Sequence, residues 1–128
     1  MNMAAGEGCI CNTYCDVDES KWGSAKSKWP KAKGYRDYRE MLEKEKDNYD
    51  AVSIATPDHH HYSAAIMAMK LGKHVYCEKP LTHTVWEARQ VRLHAEKAAT
   101  ITRMGNQIHS HSFYRTAVRI IQLSLIHI

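Results

Sequence analysis

The sequence predicts an α/β fold in which parallel strands form a sheet that helices cover. Short apolar runs rich in β-branched residues alternate with longer segments of helical periodicity along the 128 residues. Proline or charged residues end the apolar runs, and capping signatures open several of the helical segments. Neither an internal repeat nor a low-complexity linker interrupts this alternation. The pattern therefore describes one modest domain or a piece of a larger one.

The first predicted strand covers residues 8–15, GCICNTYC, and Asp16 follows it directly. A lysine-rich segment with a weak helical pattern then runs to about Trp29, and a short extra strand is expected at 33–35. Strand and helix alternate from there onward, so the strands should be joined by right-handed helical crossovers and lie parallel.

The middle of the chain begins with a helix start and continues into a strand. Asp37 has the position of an N-cap, and Glu40 stands three residues later, which predicts a capping box and a helix to about Lys46. The short, largely apolar run YDAVSIATP at 49–57 ends in a proline. Such a run predicts a strand that is buried on both faces.

The next helix is predicted over 59–72, HHHYSAAIMAMKLG. Asp58 is positioned to cap its start, and Gly72 is a favourable stop at its end. Apolar residues recur within it at helical spacing, namely Ala65, Ile66 and Met69.

The last third of the chain contains two further strand–helix pairs. The strand HVYCEKP at 74–80 precedes a second capping box, formed by Thr84 and Glu87. The helix that follows carries a predicted buried stripe of Val85, Ala88, Val91, Ala95 and Ala98. The strand TITRMGN at 100–106 and the helix SHSFYRTAVRIIQ at 110–122 complete the order.

Composition and charge exclude several classes of protein. Hydrophobic residues make up 44% and charged residues 25%, which is ordinary for a globular chain. No apolar run is long enough to span a bilayer, and no block of like charge suggests a nucleic-acid partner. The net charge of +4 is compatible with an anionic ligand. The first residues lack the pattern of a signal peptide, so a cytoplasmic location is expected, with export left open.

The cysteines and histidines raise the question of a metal site, and we predict none. Cys9, Cys11 and Cys15 do not have zinc-ribbon spacing, and we interpret them as small buried side chains in a reducing compartment. Alternate residues of a strand share a face, so these three thiols could also line one face and meet a metal, which is the less favoured alternative. The three consecutive histidines at 59–61 point apart on a helix and cannot all face one ion.

Polar residues follow four of the predicted strands. In a parallel sheet these strand ends lie on one edge, where open α/β sheets bind their ligands. Each residue also has an ordinary explanation, such as a helix cap, a solvated lysine at a turn or a polar loop. Their shared position favours a ligand site. The residues at these strand ends are Asp16, Thr56, Pro57, Asp58, Glu78, Lys79, Asn106 and Gln107.

Five stretches carry a resemblance to a known family: CDVDES, KGYRDYREML, DAVSIATPDHHH, GKHVYCEKPLTHT and MGNQIHSHS. Over about residues 6–122 the chain resembles the amino-terminal half of the glucose–fructose oxidoreductase / inositol dehydrogenase / rhizopine catabolism (Gfo/Idh/MocA) family. The resemblance implies a Rossmann-type domain of an NAD(P)-dependent oxidoreductase. Its substrate would be a sugar, cyclitol or other polyol, and the full-length protein would be a homo-oligomer without nucleic-acid or membrane partners.

The resemblance also implies roles for the residues that would bind the cofactor. Asp16 matches the acid that holds the adenosine ribose, and its charge favours NAD over NADP because it would repel the 2′-phosphate. Thr56 and Pro57 match the loop under the ribose and nicotinamide, and His61 matches the histidine of that motif. Asn106 and Gln107 match residues beside the nicotinamide.

Glu78 and Lys79 match the Glu-Lys-Pro signature, in which the lysine lies between the nicotinamide and the substrate hydroxyl. Oxidation of a carbinol builds negative charge on its oxygen as hydride leaves and the hydroxyl proton is lost. A fixed ammonium nearby stabilises that charge, so Lys79 is the predicted catalytic residue. Glu78 would orient the ribose or Lys79, and a cis peptide bond is expected before Pro80.

The glycine-rich phosphate loop of a dinucleotide fold should lie about 20 residues before the ribose acid, which is upstream of Met1. Gly6 and Gly8 are too close to Asp16 to provide it. We therefore expect an incomplete sheet that lacks the first strand of the fold. Without that neighbour, the strand at 8–15 should float or pair with the strand that holds Val52 and Ile54.

We further expect a partial dinucleotide-binding domain over 1–122, a non-native-looking tail at 123–128 and no second, substrate domain. Such a chain should bind cofactor poorly and be inactive by itself. Two alternatives remain: an NAD-dependent glycosidase of the same family, and a catalytically inactive binding or assembly module.

Overall fold

The computed structural model describes residues 8–123 and contains five strands and five helices in that range. The strands are β1 (Thr13–Cys15), β2 (Lys33–Tyr35), β3 (Ala51–Ile54), β4 (His74–Glu78) and β5 (Thr102–Gly105). The helices are α1 (Gly23–Lys28), α2 (Tyr38–Lys44), α3 (His61–Lys70), α4 (Val85–Ala98) and α5 (Ser112–Gln122). Short 3₁₀ turns at Glu19–Trp22 and Asp58–His60 lead into α1 and α3. Most of the predicted tail, 124–128, lies outside the described residues.

The strands form two parallel sheets, as predicted for an α/β fold. One sheet pairs β1 with β2, and the other has the order β3-β4-β5. The expectation that β1 floats or pairs with the strand of Val52 and Ile54 is wrong, because the extra strand at 33–35 forms and takes β1 as its partner. Helix α2 packs against β1, β2 and α3 and so connects the two sheets.

Strand β1 is shorter than the predicted strand over 8–15. Its ladder with β2 begins where the Lys33 amide donates to the Asn12 carbonyl at 3.0 Å. The Asn12 side chain turns away and donates to the backbone carbonyl of Asn48. The strand ends where the Asp16 amide donates to the Tyr35 carbonyl at 3.1 Å. The β2 partner is itself only three residues long, so it supports no longer ladder.

Helices α3 and α4 cover one face of the three-stranded sheet, and within residues 8–123 no element covers the other face. The expectation that β3 is buried on both faces is therefore wrong: Ile54 is buried, whereas Ala51 and Ser53 are exposed. Strand β4 shows the same alternation along its length. The core between sheet and helices consists of Ile54, Ala64, Ala65, Ile66, Ala68, Met69, Val75, Cys77 and Val91.

The helix starts follow the predicted caps in part. The Asp37 carboxylate caps α2 by accepting from the Arg39 amide at 2.9 Å, but Glu40 pairs with Lys44 instead of closing a capping box. Asp58 does not cap α3. The His60 amide donates to the Pro57 carbonyl and forms the 3₁₀ turn, so α3 starts three residues later without a side-chain cap.

Two predicted helix signals are confirmed. Gly72 has φ of 73°, and its amide donates to the Met69 carbonyl at 2.9 Å as α3 ends. The capping box of α4 is complete: the Thr84 hydroxyl accepts from the Glu87 amide at 3.2 Å, and the Glu87 carboxylate accepts from the Thr84 amide at 2.9 Å.

The buried stripe predicted for α4 is only partly correct. Val91 is buried, and Ala95 and Ala98 pack against the core, but Val85 and Ala88 are exposed. In the first turn it is Trp86 that reaches α3, where its ring meets that of Tyr62. The helix α5 keeps several apolar side chains exposed, including those of Phe113 and Ile121.

Within residues 8–123, no helix combines the length and the apolar character needed to cross a bilayer.

Candidate functional site

The register of the three-stranded sheet brings three strand ends to one edge. Cys77 of β4 is paired with Ile54 of β3 and with Met104 of β5, and Glu78 is paired with Gly105. The three strands therefore end within about one residue of one another. Because all three run in the same direction, the loops that carry Thr56, Lys79 and Asn106 leave the sheet at the same edge.

A cleft of about 440 Å³ lies at the ends of β4 and β5. Three of the predicted site residues line it, namely Glu78, Asn106 and Gln107, together with Tyr76, Gly105 and Ile108. The structure thus brings the acid of β4 and the amide side chains after β5 together around one cavity.

Gly105 allows the side chains of β4 to approach β5 closely at this cleft. A Cβ atom at position 105 would lie 2.4 Å from the Tyr76 hydroxyl and 3.1 Å from a Glu78 carboxylate oxygen. Distances this short require one of the groups to move. A glycine at the end of β5 therefore permits Tyr76 and Glu78 to occupy the floor of the cleft.

Lys79 follows β4 directly, and its side chain is exposed. Among residues 8–123 no hydrogen bond or ion pair holds its ammonium group. The Lys79–Pro80 peptide bond is cis, as the sequence predicts. Thr56 and Pro57, in the loop after β3, are exposed as well.

His61 lies beneath these loops and is almost completely buried, with 1% of its surface exposed. Its Nδ1 is 2.6 Å from the Pro80 carbonyl oxygen, and its Nε2 is 2.8 Å from the Thr56 carbonyl oxygen. Both ring nitrogens are thus occupied by the protein backbone. A contact between His61 and the cofactor stays a prediction.

Asp16 stands at the end of β1, in the other sheet, and does not line the cleft. One oxygen of its carboxylate accepts from the Asp18 amide at 3.0 Å, and its backbone carbonyl accepts from the Trp22 indole at 3.0 Å. Within the described part of the chain, its second carboxylate oxygen has no hydrogen-bond partner. The backbone is thereby fixed, and one oxygen remains available to a ligand.

The cysteines differ in their surroundings. Cys77 is buried, whereas Cys9 is exposed and Cys11 and Cys15 are half-buried. The interpretation of the first cysteine group as buried side chains is therefore wrong for Cys9 and only partly correct for Cys11 and Cys15. Burial and the charge of Glu78 raise the pKa of the Cys77 thiol to about 11, which makes it an unreactive core side chain. Among residues 8–123, no three histidine, cysteine or acidic side chains form a cluster suited to a metal ion.

Sequence reasoning missed Tyr76, Ile108, Ser110 and His111 as residues that line the cleft. Tyr76 was accessible to such reasoning, because it lies two residues before Glu78 on a strand and so shares its face. The position of Ile108 could not be predicted from the sequence, because its φ of 56° is uncommon for a β-branched residue. This backbone conformation shapes the loop after β5.

The comparison with known families agrees with this arrangement. The family model described as "Oxidoreductase family, NAD-binding Rossmann fold" (GFO_IDH_MocA) matches residues 13–106. The chain belongs to the Gfo/Idh/MocA family. The matched range contains β1 to β5 and all but one of the predicted site residues, Gln107 lying just beyond it.

Individual members of the Gfo/Idh/MocA family are similar over much of this chain. Myo-inositol 2-dehydrogenase of Thermotoga maritima is 30% identical over 104 residues, which cover 81% of this chain and 30% of that protein. Alpha-N-acetylgalactosaminidase of Shewanella oneidensis is 39% identical over 93 residues, or 69% of this chain and 20% of that protein.

Among solved structures, myo-inositol 2-dehydrogenase from Lactobacillus plantarum superposes with a TM-score of 0.83 at 27% identity. The superposition covers 91% of this chain and 34% of that one. This agreement confirms the Rossmann-type fold. The chain spans about a third or less of the length of the relatives that it matches.

The chemistry of the residues present is compatible with parts of an NAD molecule. A carboxylate oxygen of Asp16 can accept from a ribose hydroxyl, and the cleft lined by Glu78, Asn106 and Gln107 offers polar groups to a ligand. No glycine-rich strand-to-helix turn precedes β1 within residues 8–123, so the described chain supplies no phosphate loop. NAD, when bound, accepts or gives a hydride.

Proposed function

We propose that this chain carries the nicotinamide side of an NAD-dependent dehydrogenase that oxidises a hydroxyl group of a sugar or cyclitol. The observation that carries the proposal is the cleft in which Glu78, Asn106 and Gln107 meet at the sheet edge from which Lys79 also projects. Polar groups that converge at the carboxyl ends of parallel strands are the usual binding arrangement of an open α/β sheet. The proposal assigns the polyol to this cleft.

Lys79 is the proposed catalytic residue. Oxidation would pass the hydroxyl proton to water or another base and the hydride of the carbinol carbon to NAD. Negative charge would grow on the oxygen as its proton leaves and would fall again as the carbonyl forms. An ammonium group stabilises that charge more strongly in a partly dry site than in water. Within residues 8–123 no carboxylate competes for the Lys79 ammonium, so it is available to the substrate oxygen. Amide groups of Asn106 and Gln107 would donate to and accept from neighbouring hydroxyls.

Asp16 is the proposed determinant of NAD over NADP. Its second carboxylate oxygen can accept from a ribose hydroxyl, whereas a 2′-phosphate would bring like charges together. Thr56, Pro57 and His61 belong to the loop and helix start that would lie under the ribose and nicotinamide. These assignments rest on the family motif together with the position of the loop at the sheet edge.

The experiment maps the binding site of NADH by chemical-shift changes in the isotopically labelled chain, at cofactor concentrations high enough for weak binding. We expect shifts at the residues after β1, β3, β4 and β5, and a smaller response to NADPH. A response elsewhere, or none, would contradict the proposal. Addition of myo-inositol or an aldose to the NADH-bound chain should shift Asn106 and Gln107 further.

A second candidate is an NAD-dependent glycosidase. It is favoured by the similarity to alpha-N-acetylgalactosaminidase, which covers 69% of this chain. The two candidates share the cofactor site and differ in their products. In the enzyme that carries this domain, release of an aryl alcohol from an aryl glycoside, dependent on added NAD, would select the glycosidase. Net reduction of NAD by a free sugar or cyclitol would select the dehydrogenase.

We also propose that the protein works as a homo-oligomer in the cytoplasm. Exposed apolar side chains on α5, such as Phe113 and Ile121, are consistent with a covered face in an assembly. Light scattering coupled to size exclusion measures the oligomeric state, and cell fractionation measures the location. A monomer at all concentrations or a membrane-associated fraction would contradict this proposal.

A further inference from the structure

Tyr76 presents a phenol hydroxyl in the cleft at the sheet edge. It lies two residues before Glu78 on the same face of β4, and both side chains line the cavity of about 440 Å³. Tyr76 keeps 40% of its surface exposed. Within residues 8–123 neither the Tyr76 hydroxyl nor the Glu78 carboxylate has a hydrogen-bond partner. Both groups are therefore available to a ligand in the cleft.

Gly105 determines where these two side chains lie. It is buried at the end of β5 and paired with Glu78. The point at which a side chain would begin at position 105 is 2.7 Å from the ζ carbon of Tyr76 and 3.1 Å from a Glu78 carboxylate oxygen. The backbone of Gly105 is outside the left-handed region, so a side chain is excluded by lack of space and not by conformation. The phenol and the carboxylate thus converge over one glycine, close enough for a single ligand oxygen to contact both.

We propose that Tyr76 is a specificity-determining residue that binds, together with Glu78, one hydroxyl group of the polyol other than the one that Lys79 would serve. The inference rests on the proposed function, because that function assigns the polyol to this cleft. A ligand hydroxyl can donate to the Glu78 carboxylate and at the same time accept from the Tyr76 phenol. A carbonyl oxygen only accepts and a hydrogen atom does neither, so the pair selects a hydroxyl at this position.

The approach of the Tyr76 ring to Gly105 can be measured without any ligand. In the isotopically labelled, unmodified chain we expect nuclear Overhauser effects between the ring protons of Tyr76 and the α protons of Gly105. In Gly105→Ala the added methyl group should displace the ring, so these effects should weaken and the Tyr76 ring signals should shift. Absence of the effects in the unmodified chain would contradict the positioning role of Gly105.

Tyr76→Phe tests the hydroxyl, because it removes that group and keeps the ring. Myo-inositol is titrated into the chain at high NADH concentration, and the side-chain amide signals of Asn106 and Gln107 report its binding. We expect the affinity for myo-inositol to fall about threefold to tenfold, the usual effect of losing one neutral hydrogen bond. Tyr62→Phe is the matched control and should bind as the unmodified chain does, since its ring meets that of Trp86 on the helix-covered face of the sheet. Equal affinity in Tyr76→Phe would overturn the proposal.

Monodeoxy analogues of myo-inositol identify the hydroxyl that Tyr76 binds. For the analogue that lacks this hydroxyl, Tyr76→Phe and the unmodified chain should bind with equal affinity. The loss in Tyr76→Phe should persist for the other analogues. A loss of the same size for every analogue would show that no particular hydroxyl is bound and would overturn the proposal.

The titrations distinguish a failure of this inference from a failure of the proposed function. If myo-inositol shifts Asn106 and Gln107 but binds Tyr76→Phe and the unmodified chain equally, only the role of Tyr76 is refuted. If myo-inositol shifts neither amide, the assignment of the polyol to the cleft is refuted, and the role of Tyr76 with it.

Discussion

The Tyr35 hydroxyl donates a hydrogen bond of 2.6 Å to the carboxylate of Glu45. The same carboxylate oxygen accepts from the Lys33 ammonium at 2.7 Å, and the other oxygen accepts from the Asn48 side chain at 2.8 Å. Glu45 is buried, with 4% of its surface exposed. It follows α2 directly, while Lys33 and Tyr35 belong to β2, so these bonds attach the edge strand of the smaller sheet to its helix.

Acid should destabilise the chain through Glu45. The hydrogen bond from Lys33, followed by those from Tyr35 and Asn48, lowers the pKa of Glu45 to about 2. The unfolded chain has the ordinary glutamate pKa of about 4.3, so the stabilisation is complete above that pH and disappears as the pH falls toward 2. We expect the urea midpoint to fall between pH 5 and pH 2. Glu45→Gln should flatten this dependence, whereas Glu43→Gln, at an exposed position on α2, should not.

Alkali should act on the same group of residues through Tyr35. Its hydrogen bond to Glu45 raises the pKa of the Tyr35 hydroxyl to about 12. The unfolded value is about 10, so the contribution to stability is present below pH 10 and is lost as the pH rises through 12. Ultraviolet titration should show late tyrosine ionisation, with a component near pH 12 from Tyr35 and a contribution from Tyr49, whose pKa burial also raises. The component near pH 12 should disappear in Tyr35→Phe and move to lower pH in Glu45→Gln; its persistence in Tyr35→Phe would assign it to another tyrosine.

The sequence predicted local features of the fold better than distant ones. The Thr84–Glu87 capping box and the Gly72 helix end were correct because each depends on residues within one helical turn. The partner of β1 was wrong because strand pairing is not local. The bonds between Glu45 and β2 were also beyond prediction, since they depend on how α2 lies against that strand.

The candidate site was predictable to the extent that sheet topology determines it. Parallel neighbouring strands place Glu78, Asn106 and Gln107 at one edge of the sheet, and in the structure all three line one cleft. The burial of His61 was not predictable from its motif. A histidine beside two exposed ones gives no sign in the sequence that its ring nitrogens face backbone carbonyls.

Loss of the α4 cap should destabilise the chain measurably. Thr84→Ala removes the hydroxyl that accepts from the Glu87 amide, and such a change costs about 1 kcal/mol in other helices. We expect the free energy of unfolding to fall by that amount in urea titrations. Thr84→Ser keeps the acceptor and should recover most of the loss. Arg89→Ala, at an exposed position on the same helix, should stay within about 0.5 kcal/mol of the unmodified chain.

Removal of the Lys79 ammonium should affect catalysis without affecting stability. The side chain is exposed and has no partner among residues 8–123, so Lys79→Met should change the free energy of unfolding by less than about 0.5 kcal/mol. In the enzyme that carries this domain, we expect kcat for polyol oxidation to fall roughly a hundredfold to a thousandfold, as when other transition-state donors are removed. NADH absorbance follows the reaction. Lys97→Met, at an exposed position on α4, is the control, and unchanged turnover in Lys79→Met would refute the catalytic role.

Neutralising Asp16 should weaken the preference for NAD. Asp16→Asn retains an oxygen that can accept from the Asp18 amide, so the local turn is kept while the charge is removed. Two like charges about 4 Å apart repel by about 1–4 kcal/mol near a protein surface, which corresponds to a change in relative affinity of about fivefold to several hundredfold. We therefore expect the ratio of NADH to NADPH affinity, measured by fluorescence titration, to fall by roughly fivefold or more. Asp18→Asn, whose side chain caps the neighbouring 3₁₀ turn, should leave the ratio unchanged. An unaltered ratio in Asp16→Asn would show that the carboxylate does not face the ribose.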